Sequence, residues 1–534
     1  MAVIICAFAL LWVSPVVTVD AGGHSPSDIA RFRGRVEAIL AGAHAVRSYW
    51  GILVADRDTG KILYALNADH FFAPASNAKL ITTALALDEL GPNYRFRTTF
   101  ESDGTLASSG HLSGDLELAG RGDPDLSNRV FPFAGEFARQ GATEKVFTEM
   151  VDAAVAKGLR EVDGDVVADD SYFPYDPYPA GWSVGDLFFD FGVPVSAITF
   201  NDNVVSILIQ PGARPGDPAV LATQPAASLE ALAHSVTTSA PGGMPAIAVV
   251  RQPGSNFLLL RGTIPAGHTP VKLDLAMIQP AETAARAIKD LLEARGVRVT
   301  GQIRVRHSAP PETTAAGEPV LTGMPAPEPH RLVLAEHMSP PLRESIELTN
   351  KVSQNLHAEI FLRTVGREKL GLASTAAGLK AERAFLRSAG IPDGDVILTD
   401  GSGLSRDDLV TPRAMVDLLR YASRAPWGHD FLASLPISGN DGTLDDRMRD
   451  SPARGLIEAK TGATERVHAL TGYATTVRGE YLVFAIFCNN DAQHGTGTTS
   501  PVDDIATAMV EMLGAAPAIS GGARAKQPKR REEQ

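Results

Sequence analysis

The sequence predicts a mixed α/β fold whose middle part is mostly β-structure. Three observations lead to this prediction. Helix-like and strand-like segments alternate near both ends of the chain. Short β-like runs separated by Gly and Pro turns fill most of residues 94–307. Of the 534 residues, 44% are hydrophobic and 21% are charged, which is close to a soluble globular average and argues against wholesale disorder.

The N-terminal part begins with two predicted strands, at residues 51–55 and 61–66, around a turn. A run rich in Leu, Ala and Ile over residues 80–90 follows and ends at Gly91-Pro92, as a buried helix does. In the middle of the chain we predict a helix over residues 281–295 and strands at residues 114–118, 161–167, 204–210 and 257–262.

The C-terminal part begins after residues 308–329, whose Pro, Ala, Thr and Gly content predicts a linker or long loop. The predicted elements after this linker end in three strands and a helix. The last residues of the chain form a tail without an apolar anchor. The predicted elements here are helices over 342–365 and 376–389, strands at 455–462, 469–476 and 481–489, and a helix over 502–513.

The charge balance and the cysteine count exclude several classes of protein. The chain has 49 basic and 62 acidic residues, a net charge of −13, which disfavours binding to nucleic-acid phosphates. Its two cysteines, Cys6 and Cys488, are too few for a zinc-finger set or a disulfide scaffold. Cys488 lies in an apolar run and is expected to be a small buried side chain. The histidines and acidic residues show no metal-ligand spacing, so we expect no metal and no organic cofactor.

Residues 2–19 are almost wholly apolar, as in the core of a secretory signal. Val19 and Ala21 would occupy the −3 and −1 positions of a cleavage site before Gly22. No Lys or Arg precedes the apolar run, so a retained membrane anchor is the alternative. We expect residues 1–21 to be a signal peptide, the protein to be exported to the periplasm or extracytoplasmic envelope of a bacterium, and membrane contact to be at most peripheral.

Three short motifs occur in order along the chain: Ser76-Asn77-Ala78-Lys79, Ser353-Gln354-Asn355 and Lys460-Thr461-Gly462. This set of S-x-x-K, S-x-N and K-T-G is found in β-lactamases and penicillin-binding proteins. Ser76 and Lys79 would share one face of a helix, where a neutral lysine amine can take the serine proton. Burial or nearby positive charge would have to lower the pKa of Lys79 for this chemistry.

The same motifs suggest how a substrate is held. The backbone N–H of Ser76 at a helix start can form half of an oxyanion hole, and that of Ala463 can complete it. Lys460 brings positive charge, Thr461 a hydroxyl, and Gly462 room for a peptide that adds to the strand edge. Ser353 and Asn355 would bridge Lys79 and Lys460 and bind a substrate amide. The Gly-Ser-Gly sequence at residues 401–403 is interpreted only as a glycine-rich turn.

With further blocks, the chain resembles the D-alanyl-D-alanine carboxypeptidases/endopeptidases of the class C low-molecular-mass penicillin-binding proteins. The resemblance covers about residues 26–515. Two positions depart from the pattern: Gln354 stands where Asp is frequent, and Ala463 stands where a hydroxyl residue is common. The blocks that carry the resemblance are residues 74–83, 114–116, 122–124, 169–173, Trp182, 353–363, 400–412, 441–444 and 470–473.

The resemblance implies a serine DD-peptidase/β-lactamase-like α/β (α+β) catalytic domain, an antiparallel sheet flanked by helices, split by a large mostly β insertion. About 270 residues separate Lys79 from Ser353, which is too long for a loop and fits one or two inserted domains. We predict the catalytic domain at residues 26–95 and 336–515, an inserted domain II at 96–195 and 276–335, an inserted domain III at 196–275, and a disordered tail at 516–534.

The resemblance also implies the chemistry of an acyl-enzyme. Ser76 is the expected nucleophile, Lys79 the general base, and Ser353 the group that relays a proton to the leaving amine. Asn355, Lys460, Thr461 and Gly462 are expected to bind substrate, with Lys460 and Thr461 on its terminal carboxylate. The implied substrate is the D-Ala-D-Ala end of a peptidoglycan stem peptide, and β-lactam antibiotics are the implied covalent inhibitors.

Three readings of the same motifs remain open at this point. The first is a D-Ala-D-Ala carboxypeptidase, with endopeptidase activity undecided. The second is a β-lactamase or esterase on the same site, which needs a group that activates water for deacylation. The third is a non-catalytic peptidoglycan-binding scaffold, which would have no reason to keep Ser76, Lys79, Ser353, Asn355 and Lys460 together.

Overall fold

The computed structural model describes residues 25–511, apart from residues 44, 137, 229–230, 253–254, 311–319, 321–330 and 492–500. The predicted signal peptide and tail therefore lie outside the described residues, as does most of the predicted linker. The helices are α1 (Pro26–Leu40), α2 (Ala78–Leu90), α3 (Lys145–Ala156), α4 (Pro280–Ala294), α5 (Leu342–Val352), α6 (Asn355–Leu370), α7 (Thr375–Ser388), α8 (Pro412–Ala422), α9 (Gly428–Ala433) and α10 (Pro501–Glu511).

The strands alternate with these helices near both ends of the chain and dominate its middle. They are β1 (Tyr49–Asp56), β2 (Ile62–Leu66), β3 (Arg97–Ser102), β4 (His111–Leu112), β5 (Leu116–Ala119), β6 (Glu161–Val162), β7 (Val166–Pro174), β8 (Val204–Gln210), β9 (Val220–Gln224), β10 (Ala231–Ser239), β11 (Ala246–Arg251), β12 (Phe257–Pro265), β13 (Val271–Ala276), β14 (Arg298–Val299), β15 (Ile303–Ser308), β16 (Leu332–Met338), β17 (Val396–Ile397), β18 (Leu409–Val410), β19 (Ile457–Thr464), β20 (Val467–Thr475) and β21 (Tyr481–Asn489).

A five-stranded antiparallel sheet combines strands from the N-terminal and C-terminal parts of the chain, in the order β19-β20-β21-β1-β2. One apolar core contains residues of α2, α6, α7 and α8 together with residues of the sheet. A second core contains residues of α1 and α10 and further sheet residues, among them Cys488, whose predicted burial is confirmed. The mixed α/β fold class, an antiparallel sheet flanked by helices, is also confirmed.

The strands between β2 and β17 form separate sheets. One has the order β15-β7-β5-β3-β16, and a small one has the order β14-β6-β4. Two three-stranded sheets, β13-β8-β9 and β10-β12-β11, share an apolar core of their own. We propose that the first pair of sheets belongs to domain II and the second pair to domain III. Because β16 pairs with β3 as far as Met338, we place the return to the catalytic domain just after that residue.

Some elements differ from the prediction. The helix predicted over residues 342–365 is two helices, α5 and α6, because Ser353 has a left-handed backbone conformation (φ 63°) that ends α5. The apolar pattern continues across the break, so periodicity alone does not reveal it. The sequence patterns do not predict helices α1, α3, α8 and α9. None of the helices in the described part of the chain has the length and apolar character needed to cross a bilayer.

Candidate active site

Ser76 lies in a short 3-10 turn, Ala75–Asn77, that leads directly into α2. The next turn of chain carries Lys79, whose side chain is fully buried. Its Nζ donates to Ser76 Oγ at 2.9 Å, as predicted for two residues three apart on one helical face. The S-x-x-K motif therefore brings its two functional groups into direct contact.

The lysine amine has two further acceptors. Lys79 Nζ donates to Asn355 Oδ1 at 2.5 Å and to the backbone carbonyl of Ser402 at 2.6 Å. Burial lowers the pKa of Lys79 to about 7, against the raising effect of negative charge on Asp400, Glu359 and Asp408. A substantial fraction of this amine is therefore neutral near pH 7 and able to accept the Ser76 proton.

The S-x-N motif lies where α5 meets α6. Ser353 ends α5, and its Oγ accepts a hydrogen bond from Lys460 Nζ at 2.9 Å. Asn355 begins α6 and accepts from Lys79, while its Nδ2 donates to the carbonyl of Phe191 at 2.7 Å. The two motif residues thus contact one lysine each. Between them, the Gln354 side chain caps α6 by accepting from the backbone N–H of Leu356.

The K-T-G motif lies on β19, the edge strand of the five-stranded sheet. Lys460 is fully buried, and its Nζ also donates to the carbonyl of Thr461 at 3.0 Å. Burial and the neighbouring Lys79 lower the pKa of Lys460 well below its usual value. Thr461 Oγ1 donates to Thr443 Oγ1 at 2.8 Å, and Ala463 is exposed.

Gly462 allows β19 to pack against the turn that carries Ser76. A Cβ at this position would lie 2.6 Å from both the carbonyl oxygen of Pro74 and Nδ2 of Asn77. We expect Gly462→Ala to displace the Ser76 turn, destabilise the fold by about 1–3 kcal/mol, and slow acylation by penicillin. Gly394→Ala is the matched control, because a Cβ there meets nothing within 4 Å. Equal acylation rates and unfolding midpoints for the two variants would contradict this prediction.

Comparisons with known proteins identify the family of the chain. Residues 32–509 match the D-Ala-D-Ala carboxypeptidase 3 (S13) family. The chain belongs to this family. A D-alanyl-D-alanine carboxypeptidase from an Actinomadura species is 32% identical over 516 residues, covering 95% of this chain and 88% of that protein. The D-alanyl-D-alanine carboxypeptidase DacB of Haemophilus influenzae is 26% identical, covering 82% and 85%.

A solved structure shares the fold of this S13 family member. Penicillin binding protein 4 (dacB) from Haemophilus influenzae superposes with a TM-score of 0.73 at 24% identity, covering 90% of this chain and 99% of that one. The predicted resemblance is therefore confirmed, and with it the enzyme class, a serine-type D-Ala-D-Ala carboxypeptidase.

Several groups around Lys79 and Thr461 were not predicted to take part in the site. Thr443 contacts Thr461, and the carbonyl of Ser402 contacts Lys79. Both lie in blocks that carry the family resemblance, at 441–444 and 400–412, but neither block was given a chemical role. The glycine-rich segment at 401–403 forms a bend, and its contribution to the site is the backbone carbonyl of Ser402. Among the described residues, no group of three or more His, Cys, Asp or Glu side chains is arranged to hold a metal ion.

Proposed function

We propose that this S13 family member hydrolyses the D-Ala-D-Ala end of peptidoglycan stem peptides through an acyl-enzyme on Ser76. The observation that carries the proposal is the 2.9 Å contact between Ser76 Oγ and Lys79 Nζ. Burial places the pKa of that amine at about 7. A serine beside a base of this kind is an activated nucleophile.

In the proposed acylation step, Ser76 Oγ attacks the carbonyl carbon of the penultimate D-alanine while its proton passes to neutral Lys79. The backbone N–H groups of Ser76 and Ala463 stabilise the resulting oxyanion. The C–N bond then breaks, and Ser353 relays a proton to the leaving amine, so that D-alanine departs. Water then attacks the ester carbonyl and gives a proton to neutral Lys79, the bond from the acyl carbon to Ser76 Oγ breaks, and Lys79 returns the proton to Ser76 Oγ, which leaves the shortened peptide as product.

We propose that the substrate peptide lies along the edge of β19, beside Lys460, Thr461 and Gly462. An edge strand has unpaired backbone groups that an extended peptide can use. Asn355 would position the peptide amide, and Thr461 would face its terminal carboxylate. Lys460 has two candidate roles, because its buried amine already donates to Ser353 Oγ and to the Thr461 carbonyl.

Two roles for Lys460 can be separated by substrate choice. If it binds the terminal carboxylate, we expect Lys460→Ala to lower kcat/KM on a free-carboxylate peptide about 10- to 150-fold, the worth of a charge-assisted hydrogen bond. Activity on an ester without a terminal carboxylate should fall much less. Equal losses on both substrates would assign Lys460 to the proton network through Ser353 instead. Ala463→Thr, which restores a hydroxyl beside the motif, should raise activity only on the free-carboxylate peptide.

The partners and location follow from the proposed reaction. A structure of the Haemophilus influenzae penicillin binding protein 4 was solved in complex with a β-lactam. We propose that β-lactams acylate Ser76 of this chain, because their strained amide would occupy the position of the D-Ala-D-Ala bond. Peptidoglycan lies outside the cytoplasmic membrane, so we propose export, with cleavage before Gly22 and at most peripheral membrane contact.

The deciding experiment compares three reactions of the purified protein. D-alanine release from a peptide ending in D-Ala-D-Ala is expected, together with slow turnover of penicillin. Fast penicillin hydrolysis without D-alanine release would favour a β-lactamase or esterase, and binding without either reaction would favour a scaffold. Cleavage of a cross-linked dimer of stem peptides tests endopeptidase activity, which the motif geometry leaves open.

A further inference from the structure

The inserted segment that contains Trp182 and Phe191 contacts the catalytic domain at the two groups that hold Lys79. The carbonyl of Phe191 accepts from Nδ2 of Asn355, whose Oδ1 accepts from Lys79. Trp182 Nε1 donates to Asp400 Oδ2 at 2.8 Å, at the start of the loop that carries Ser402. The segment therefore contacts Asn355 directly and contacts the loop that carries the Ser402 carbonyl, the two acceptors of Lys79.

The loop at residues 400–405 depends on buried carboxylates for its shape. The fully buried Asp400 accepts from the backbone N–H groups of Ser402, Gly403 and Ser405 at 2.6–3.1 Å. Glu359, one helical turn after Asn355 on α6, accepts from the N–H groups of residues 401 and 402. These bonds fix the peptide unit whose carbonyl, that of Ser402, accepts a hydrogen bond from Lys79.

The contact between the segment and the loop is close. The carbonyl of Gly181 accepts from the backbone N–H of Arg406 at 3.0 Å, and Arg406 pairs with Asp186 at 3.1 Å. Gly181 has a φ of +78°, and a Cβ there would lie 2.1 Å from Oγ of Ser405. A side chain at Gly181 would thus collide with the side chain of Ser405, so the insert and the loop are in direct contact here.

We propose that residues 181–191 of the insert are a positioning element of the active site, which fixes Asn355 and the Ser402 carbonyl around Lys79. The insert is then required for acylation itself, in addition to any role in binding peptidoglycan. This inference rests on the proposed function, since it assumes that Ser76 is acylated with Lys79 as the base. Trp182 and Phe191 act through other residues and need not touch the reacting atoms.

The pKa of Lys79 offers a specific readout of this positioning. Asp400, Glu359 and Asp408 raise the pKa of Lys79. Lys460 is the neighbouring basic group, and Lys79 lowers the pKa of Lys460. Burial raises the pKa of Glu359 to about 8 and, with the neighbouring Asp400, that of Asp408 to about 10. Trp182 Nε1 donates to Asp400, the first of the three carboxyl groups that raise the pKa of Lys79.

The test is the rate of Ser76 acylation by saturating penicillin as a function of pH, measured on the full chain. Trp182→Phe removes the N–H and keeps a ring. We expect acylation about tenfold slower, because one charge-assisted hydrogen bond is lost. We also expect the midpoint of the pH profile to move to lower pH, because a hydrogen bond that favours the negative form of Asp400 is lost, and negative charge on Asp400 raises the pKa of Lys79. Asp400→Asn should move the midpoint in the same direction.

Trp427→Phe is the matched control, since Trp427 Nε1 donates to Asp88 Oδ1 at 3.0 Å elsewhere in the catalytic domain. Its rate and midpoint should equal those of the wild type. A Trp182→Phe variant that also keeps both values would overturn the inference. The inference would also be overturned if Trp182→Phe and Asp400→Asn both lowered the adduct yield equally at every pH and left the midpoint unchanged. Simple loss of folded protein produces that result. Failure of the wild type to form any adduct would instead reject the proposed function.

Discussion

Replacing Ser76 with alanine is expected to abolish D-alanine release and penicillin labelling together. Removal of the nucleophile costs about 10⁶-fold in turnover in serine hydrolases, because the remaining groups only bind and polarise the substrate. The measurement is D-alanine release from a peptide ending in D-Ala-D-Ala, with the intact mass after penicillin treatment as a second readout. Both should fall to background in Ser76→Ala.

The control for this variant is Ser388→Ala, at the end of α7, where the hydroxyl donates only to the carbonyl of Phe385. We expect Ser388→Ala to keep wild-type activity. Residual D-alanine release by Ser76→Ala above a tenth of the wild-type rate would mean that another residue is the nucleophile.

Changing Lys79 is expected to produce the second largest loss. Lys79→Arg keeps a positive charge but cannot become neutral, so the base is lost and acylation should slow about 10²- to 10⁴-fold. In the wild type, only the neutral amine can take the Ser76 proton, and burial sets its pKa at about 7. The acylation rate should therefore be low below pH 7, where Lys79 is mostly protonated, and should increase as the pH rises through about 7.

Stopped-flow acylation by penicillin between pH 5 and 9 measures this profile. Lys61→Arg, at an exposed lysine beside β2, is the control and should keep both the rate and the profile. A wild-type rate independent of pH across this range, or a Lys79→Arg rate close to that of the wild type, would rule out Lys79 as the titrating base.

The parts of the site that follow local rules could be predicted from the sequence. Ser76 and Lys79 are three residues apart on a helix, so their contact follows from helical geometry. The motif set predicts that Ser353 and Asn355 bridge Lys79 and Lys460, and the structure adds that Asn355 contacts Lys79 and Ser353 contacts Lys460. The strands of the central sheet were predictable because alternating and buried apolar runs flank clear turn signals.

The parts that depend on distant segments could not be predicted. The carbonyl of Ser402 contacts Lys79 directly, but every residue has a backbone carbonyl, so the sequence does not indicate which one makes this contact. Trp182 and Asp400 are 218 residues apart, and nothing local in either segment predicts that they meet. The break at Ser353 comes from a left-handed conformation in a non-glycine residue, which the apolar pattern does not encode.

The most direct test of the acyl-enzyme account is the intact mass of the wild-type protein after brief penicillin treatment, followed by peptide mapping. The account predicts one adduct per chain, with the mass of intact penicillin because the β-lactam ring opens without loss of atoms. The modified peptide should contain Ser76, and the adduct should be absent from Ser76→Ala. An adduct on any other residue, or an unmodified protein that still releases D-alanine, would contradict the account.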